Sequence, residues 1–272
     1  MRINMRREGS GEPLLLIHGI GSSLRCWAPV VAELAARHEV LAVDLPGFGE
    51  SAPLPPGVNR TVPALVEAIE RQLDELGLAT VHVAGNSMGG WIALELARRG
   101  RARSVVAISP AGFGTPAENR RSRLTLLAMR GLARALAPIA DPVCRPAALR
   151  TLLNGLFGGL PWRLEASDAA YSLKALANAP GFRATLDWLF SHNAGGLESI
   201  HVPVTVLWGT RDAILAPRQG PRVEAAVPSS NLIPLPGLGH IPMSDDPDLI
   251  AHSILAVTTV GIERLPTVGA LS

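Results

Sequence analysis

The sequence predicts an α/β fold with a mostly parallel sheet flanked by helices. Short apolar runs alternate with longer helix-like segments through the first 110 residues, and two further apolar runs follow residue 200. Runs that are apolar throughout are typical of strands buried on both faces of a parallel sheet. Between these two parts, residues 111–199 show helical patterns only. We therefore predict a core formed by 1–110 and 200–272, with a helical cap at 111–199 inserted after the strand at 104–109.

The predicted core elements follow one another in the order that a parallel sheet requires. The predicted strands are 13–17, 40–43, 81–84, 104–108, 204–208 and 231–235. The predicted helices are 27–37, 61–76, 88–99 and 247–257. Thr61 fits the N-cap of its helix, and Gly77 and Gly100 follow the last residues of theirs, where glycine is favoured. The tail 258–272 has no periodicity and is expected to be loosely ordered.

Size and charge exclude several classes of protein. A chain of 272 residues with 47% hydrophobic residues can bury about 70–75% of its unfolded surface without disulfides. The net charge of +2 gives no support for nucleic acid or for an acidic partner. Cys26 and Cys144 are far apart and are predicted to be free thiols in a reducing compartment. Because no signal sequence and no bilayer-spanning apolar run is visible, we expect a cytoplasmic protein.

The strongest chemical motif is Gly85-Asn86-Ser87-Met88-Gly89, a G-x-S-x-G pattern. The pattern alone recurs by chance, and a simple Gly-Ser turn would also match it. Here it directly follows a predicted strand and opens a predicted helix, which is the context of a nucleophile elbow. Flanking glycines leave room for the tight turn, and the helix N-terminus favours negative charge beside Ser87. We therefore predict that Ser87 is a nucleophile.

A serine hydroxyl needs a base to take its proton, and the base needs a partner that orients it. His240 lies in a glycine-flanked loop after the last predicted strand, and Asp212 follows the preceding strand. Asp245 and Asp246 lie too close to His240 in sequence to be the first choice, and Asp44 is predicted to anchor a loop. The other histidines are predicted on helices or loops (His38, His192, His252), in the core (His82) and at a strand start (His201).

Backbone N–H groups near Ser87 are predicted to form an oxyanion hole. In a nucleophile elbow one such N–H follows the nucleophile, which is Met88 here, and another comes from the loop of an early strand. We choose Ile20 for the second, within His18-Gly19-Ile20-Gly21. His18 and Gly19 are predicted to support this loop, His18 through hydrogen bonds rather than proton transfer.

Taken together, these motifs resemble the α/β-hydrolase superfamily in order and spacing, over roughly 14–110 and 202–257. The motifs are His18-Gly19-Ile20-Gly21, Asp44-Leu45-Pro46-Gly47-Phe48-Gly49-Glu50-Ser51, Gly85-Asn86-Ser87-Met88-Gly89-Gly90, Trp208-Gly209-Thr210-Arg211-Asp212 and Gly239-His240-Ile241-Pro242. The chain order Ser, Asp, His is also the order of that family. The resemblance implies the α/β-hydrolase fold, with an eight-stranded sheet that has one antiparallel strand near its start. Only about one strand, at 2–7, fits ahead of Leu14.

The chemistry implied by the resemblance is two-step acyl transfer by a Ser-His-Asp triad. A carboxylic ester, thioester or lactone is the favoured substrate. Haloalkane dehalogenases and epoxide hydrolases of this fold carry an aspartate at the nucleophile position, so Ser87 argues against both. Carbon–carbon hydrolases of ring-cleavage diketones often share Gly-Asn-Ser-Met-Gly-Gly, but they usually have a tryptophan where Ile241 stands and Gly-Pro in place of Ser22-Ser23. They remain an alternative, as does a non-catalytic ligand-binding member of the fold, although the complete triad argues against that one.

The predicted cap is rich in aromatic, leucine and alanine residues, which suggests a small-molecule substrate with an apolar portion. Its first helix alternates apolar residues with Arg120, Arg121, Arg123, Arg130 and Arg134. This pattern is compatible with two structures. One is a basic lid, which would contact lipid or recruit an acidic substrate; the other, which we favour, is a cap helix with a solvated basic face. The sequence has no HExxH motif, no clustered histidines and no nucleotide-phosphate loop, so we expect neither metal nor cofactor. The oligomeric state is left open.

Overall fold

The computed structural model describes residues 3–259, and its centre is a seven-stranded sheet. The strands are β1 (Met5–Glu8), β2 (Glu12–Ile17), β3 (His38–Val43), β4 (Val81–Asn86), β5 (Ala102–Ile108), β6 (Val204–Gly209) and β7 (Ser230–Leu235). Their order across the sheet is β1-β3-β2-β4-β5-β6-β7. β1 runs antiparallel to β3, and the other five pairings are parallel. The mostly parallel sheet and all six predicted strands are thereby confirmed.

The sheet edge next to β3 differs from the expectation. The family resemblance implied eight strands, and this is wrong for the described part of the chain, which has seven. β1 pairs with β3 from Met5 opposite Val43 to Glu8 opposite Val40. Gly9, whose φ of 79° lies in the left-handed region, then turns the chain back towards β2. The described residues ahead of this turn suffice for one strand only, and this strand is the expected antiparallel one.

Helices cover both faces of the sheet. They are α1 (Ala28–Ala35), α2 (Val62–Glu75), α3 (Met88–Arg98), α4 (Pro116–Leu136), α5 (Ala140–Cys144), α6 (Ala147–Asn154), α7 (Ala166–Asn178), α8 (Phe182–Leu189), α9 (Gly220–Ala226), α10 (Pro242–Asp245) and α11 (Pro247–Thr259). Thr61 caps α2 as predicted, because its hydroxyl accepts a hydrogen bond from the Ala64 amide at 3.2 Å. The predicted helix 27–37 becomes α-helical only from Ala28 to Ala35, after a 3-10 turn.

The strand β2 shows why the predicted strands are apolar at every position. Leu14 and Leu16 face the side of the sheet covered by α1 and α11, and Leu15 and Ile17 face the side covered by α2 and α3. All four side chains are buried. A strand covered on both faces has no solvent side, so β2 lacks the alternation of apolar and polar residues that a half-exposed strand shows.

The helical insertion, residues 111–199, lies between β5 and β6. It contains α4 to α8 and, among its described residues, no strand. α4 and α5 both pack against α7. No helix within residues 3–259 is long and apolar enough to cross a membrane. The predicted tail falls mostly outside the described residues, because only its first two residues belong to α11.

Glu118 attaches the start of α4 to the core. Its side chain forms a capping box with Thr115, and its carboxylate also receives the guanidinium groups of Arg222, at 2.7 Å, and Arg218. The Glu118 side chain is only 6% exposed. The hydrogen bonds from Arg222, with further ones from Thr115 and Arg218, hold the pKa of Glu118 far below its usual value. The insertion is therefore anchored to α9 by a charge pair whose carboxylate is nearly buried.

We expect Glu118→Gln to lower the free energy of unfolding by roughly 1–3 kcal/mol at pH 7, because two arginines lose their charged acceptor. A carboxylate whose pKa is lowered in the folded state stabilises the protein above its unfolded pKa. That stabilisation is lost as the pH falls from 4.5, the usual pKa of a glutamate, towards the folded pKa. Urea denaturation at neutral and acidic pH measures both effects. Glu67→Gln, at an exposed position of α2, is the control, and an equal loss in both variants would contradict the anchor.

Candidate active site

The turn between β4 and α3 places Ser87 at the carboxyl edge of the sheet. Ser87 has φ 58° and ψ −117°, a conformation that side-chain-bearing residues rarely adopt. Such backbone strain costs about 1–3 kcal/mol and persists only where surrounding contacts fix it. Here the Ser87 amide donates to the carbonyl of Ile108 at 2.9 Å, and the Ser87 carbonyl accepts from Trp91 and Ala111. The turn is thus held from β5 and from α3.

Two glycines make this turn sterically possible. A Cβ atom on Gly85 would lie 2.1 Å from the carbonyl oxygen of Gly89, and one on Gly89 would lie 2.2 Å from the carbonyl oxygen of Ile17. Both distances are far inside van der Waals contact, and both obstacles are backbone atoms that cannot rotate away. The spacing of the motif therefore follows from how tightly α3 packs against β2 and β4.

His240 and Asp212 form a buried pair near this turn. The Nδ1 atom of His240 lies 2.7 Å from Oδ2 of Asp212, and both side chains are at most 5% exposed. The other carboxylate oxygen of Asp212 accepts hydrogen bonds from the amides of Ile214, at 2.9 Å, and Leu215, at 2.8 Å. These contacts fix the carboxylate, and they leave Nε2 of His240 as the ring nitrogen that can exchange a proton with a ligand.

Asn86 connects the Ser87 turn to the loop of His240. Its side-chain amide donates to the carbonyl of His240 at 2.8 Å and to that of Ile108 at 3.3 Å. Ser87 and His240 line the same cavity. Within residues 3–259, no protein group forms a hydrogen bond with the Ser87 hydroxyl. In sites without substrate, the bond between nucleophile and base is often long and tightens in the complex.

The loop after β2 brings the other predicted residues to the same place. Gly19 lies against Ser87, since a Cβ atom on Gly19 would be 3.1 Å from that of Ser87. His18 is fully buried, its Nδ1 lies 2.7 Å from the carbonyl of Gly19, and its Nε2 accepts from the Leu45 amide at 3.0 Å. Burial lowers the pKa of His18, so it is a neutral bracing group. Ile20 lines the cavity, and Met88 opens α3, where helix amides lack intrahelical partners.

The cavity above Ser87 has a volume of about 510 Å³. Its walls come from the core and from the insertion, and most lining side chains are apolar. The apolar residues that the insertion contributes include Leu126, Met129, Leu153, Phe157, Leu173 and Leu176. Three apolar residues of the basic α4 pattern, Leu126, Met129 and Leu132, therefore face a ligand-sized space.

Two arginines of α4 have partners within the insertion. Arg123 donates to Asp187 at 2.7 Å. Arg130 lies over the ring of Phe182, 4.6 Å from its centroid, and donates to the carbonyl of Ala179 at 2.8 Å. These contacts agree with a cap helix whose polar face packs on its neighbours and meets solvent.

Asp245 is a site residue whose position sequence reasoning missed. It was considered only as a partner of His240, but its buried carboxylate accepts three backbone hydrogen bonds instead. Gly239, Gly159 and Leu160 each donate to it at 2.8 Å. The amide of His240 also donates, at 2.6 Å, to the carbonyl of Phe157. Asp245 therefore joins the insertion to the loop that carries His240.

The remaining titratable candidates lie elsewhere. His82 is buried in β4 as predicted, bonded to Ser104 and Glu12. His38 was predicted on a helix or loop, and this was wrong, because it begins β3 and bonds to Thr258 at 2.7 Å. His38 lies between the predicted helix 27–37 and the apolar run 40–43, so the sequence pattern did not assign it to the strand. Both cysteines are free, and residues 3–259 contain no group of three His, Cys, Asp or Glu side chains placed to hold a metal ion.

We expect Asp245→Asn to lower the free energy of unfolding by roughly 1–3 kcal/mol, because an amide nitrogen would face backbone donors that lose their charged acceptor. Hydrogen–deuterium exchange followed by mass spectrometry should show faster exchange at Gly159, Leu160 and Gly239. Asp246→Asn is the matched control, since among the described residues the Asp246 side chain accepts a hydrogen bond only from the Leu249 amide, at the start of α11. Unchanged exchange at the three amides would show that Asp245 does not hold the two loops together.

Comparison with known proteins supports one family. A family model described as "Alpha/beta hydrolase family" matches residues 14–253. An uncharacterized protein of Mycobacterium tuberculosis is 32% identical over 260 residues, covering 89% of this chain and 74% of that protein. An epoxide hydrolase of the same organism is 34% identical over 202 residues, covering 70% and 91%.

The fold is also found among solved structures. The enol-lactonase of Burkholderia xenovorans superposes with a TM-score of 0.76 at 22% identity, covering 95% of this chain and 96% of the other. At this identity the likeness concerns the fold alone. The family match, which spans most of the chain, agrees with the motifs and with the sheet order described above. The chain belongs to the alpha/beta hydrolase family and is a hydrolase.

Proposed function

We propose that this protein is a serine hydrolase that cleaves a carboxylic ester, thioester or lactone with an apolar portion. Ser87 is the nucleophile, His240 is the general base and then the general acid, and Asp212 orients and stabilises His240 when it is charged. One observation carries the proposal: His240, whose Nδ1 lies 2.7 Å from Oδ2 of Asp212, lines the same cavity as Ser87, which is held in a strained turn. This arrangement has the parts that acyl transfer by a triad requires.

The reaction proceeds in two steps. The Ser87 hydroxyl oxygen attacks the carbonyl carbon while Nε2 of His240 takes its proton. The amides of Ile20 and Met88 bind the negative oxygen that forms, and the leaving alcohol or thiol departs with the proton from His240. Water then attacks the acyl-enzyme with His240 as base, and the acid is released as Ser87 recovers its proton.

The walls of the cavity support the apolar portion of the substrate. A volume of about 510 Å³ lies within the range of roughly 300–1,000 Å³ that ligand pockets occupy. Residues 111–199 supply most of the apolar side chains over Ser87, so we propose that the insertion is a cap that shapes the acyl site. Residues 1–110 and 200–272 are then the hydrolase core.

Carbon–carbon hydrolysis of a ring-cleavage diketone is the second candidate. It is favoured by the sequence Gly-Asn-Ser-Met-Gly-Gly at 85–90, in which the Asn86 amide bonds to the carbonyl of His240. Against it, Ile241 occupies the cavity wall where those hydrolases usually have tryptophan. Epoxide hydrolases of this fold carry an aspartate at the nucleophile position, so Ser87 argues against epoxide opening by this protein.

We expect a fluorophosphonate probe to add once to the wild-type protein, at Ser87, and not at all to Ser87→Ala. The same variant should lose about 10⁴-fold or more of kcat on a short 4-nitrophenyl ester, because triad members act as a unit. Intact-protein mass spectrometry and peptide mapping measure the adduct. Ser253→Ala, on α11 and outside the residues that line the cavity, is the control. A folded wild type that takes no adduct and hydrolyses no ester would favour a ligand-binding role.

We expect Asp212→Asn to slow fluorophosphonate labelling by about 10³- to 10⁴-fold, because the amide cannot hold the His240 tautomer that accepts the serine proton. The amides of Ile214 and Leu215 can still donate to the asparagine oxygen, so the loop should remain folded. Labelling rates and thermal unfolding are measured on the same samples. Wild-type labelling by a fully folded variant would remove Asp212 from the triad.

A further inference from the structure

A pair of opposite charges stands at the entrance of the cavity, where the core meets the insertion. Arg25 lies in the turn after β2, and Asp168 lies in the first turn of α7; both line the cavity. The Arg25 guanidinium is 3.1 Å from Oδ1 of Asp168. The two side chains are 46% and 40% exposed, which places them at the mouth rather than in the interior.

Tyr171, one turn further along α7, fixes the guanidinium in place. The Cζ atom of Arg25 lies 4.1 Å from the centroid of the Tyr171 ring. An arginine stacked on an aromatic face keeps its position even when its acidic partner is removed, because the ring attracts the cation independently. Arg25 thus remains near the cavity with or without Asp168.

On the cavity wall, the charges of Arg25 and Asp168 compensate each other. Among the described residues that line it, Arg25 is the only lysine or arginine. Asp245 also lines the cavity, but its carboxylate accepts hydrogen bonds from three backbone amides. An unpaired guanidinium on an apolar wall would bind a substrate carboxylate, with two parallel hydrogen bonds. Asp168 occupies that position and adds a negative charge that repels such a substrate.

We propose that Asp168 is a specificity-determining residue: by neutralising Arg25 it restricts the cavity to substrates whose acyl portion carries no charge. This inference rests on the proposed hydrolase function and narrows its substrate class to neutral, apolar acyl groups. Arg25 is a latent carboxylate site, which the substitution Asp168→Asn would expose.

The test compares 4-nitrophenyl alkanoates with 4-nitrophenyl monoesters of dicarboxylic acids of matching chain length. For each variant the ratio of kcat/KM for the acidic ester to that for the neutral ester is measured, at low and high salt. The variants are Asp168→Asn, Arg25→Gln and the double variant. Asp141→Asn is the matched control, because it breaks another ion pair of the insertion, Asp141–Lys174 at 2.7 Å, that does not line the cavity.

The wild type should prefer the neutral ester. Asp168→Asn should raise the ratio by about two- to fivefold, the range for a partly exposed charge pair. The gain should come through a lower KM for the acidic ester, shrink at high salt and vanish in the double variant. The Asp141→Asn ratio should equal that of the wild type. A wild type that prefers acidic esters, or an Asp168→Asn ratio equal to the control, would overturn the proposal.

A binding measurement separates this proposal from the proposed function. Ser87→Ala and Ser87→Ala/Asp168→Asn are titrated with the same acidic and neutral esters, with tryptophan fluorescence as the readout. If the acidic ester binds more tightly to Ser87→Ala/Asp168→Asn than to Ser87→Ala, the role of Asp168 is supported even if the wild type hydrolyses no ester. Equal binding to both variants, with ester hydrolysis intact in the wild type, removes the role of Asp168 and leaves the hydrolase function standing.

Discussion

The close approach of α3 to the ends of β2 and β4 is the constraint on which the rest of the site depends. It requires glycine at positions 85 and 89, where a Cβ atom would lie about 2 Å from backbone oxygens, and it forces Ser87 into its strained conformation. Because the strand ends are parallel, the segments that follow β2 and β6 reach the same edge of the sheet. The loops bearing Ile20 and Asp212 therefore lie beside Ser87 without any long connection.

A chain of hydrogen bonds extends this rigid turn into the rest of the molecule. The Asn86 side chain donates to the carbonyl of His240, and the His240 amide donates to the carbonyl of Phe157. The Asp245 carboxylate accepts hydrogen bonds from amides on both sides of that junction. The His240 loop is thus fixed by the core on one side and by the insertion on the other. A loop that would otherwise be free is given a single position relative to Ser87, which is the condition for an oriented base.

Sequence reasoning predicted the sheet, the tight turn at Ser87 and the His240–Asp212 pair because each depends on local patterns. Buried strands are continuous apolar runs, and the tight turn demands glycines at a fixed spacing. It did not reach Asp245 or Arg25–Asp168, because their partners lie far away along the chain. Asp245 bonds to amides 85 and 86 positions away, and Arg25 meets a residue 143 positions away. The family pattern implied eight strands, but the residues ahead of Leu14 left room for about one, and the described part of the sheet has seven.

The contact between Gly159 and the His240 loop bears on how such an enzyme can change over evolution. A Cβ atom on Gly159 would lie 2.3 Å from the carbonyl oxygen of Gly237, so the insertion and the core are fitted to each other at this point. Substitutions at the cavity-lining positions of α4, α6 and α7 can reshape the cavity while the groups at the sheet edge stay in place. The segment around Gly159 cannot vary in this way, so a transplanted insertion would have to bring this glycine junction with it.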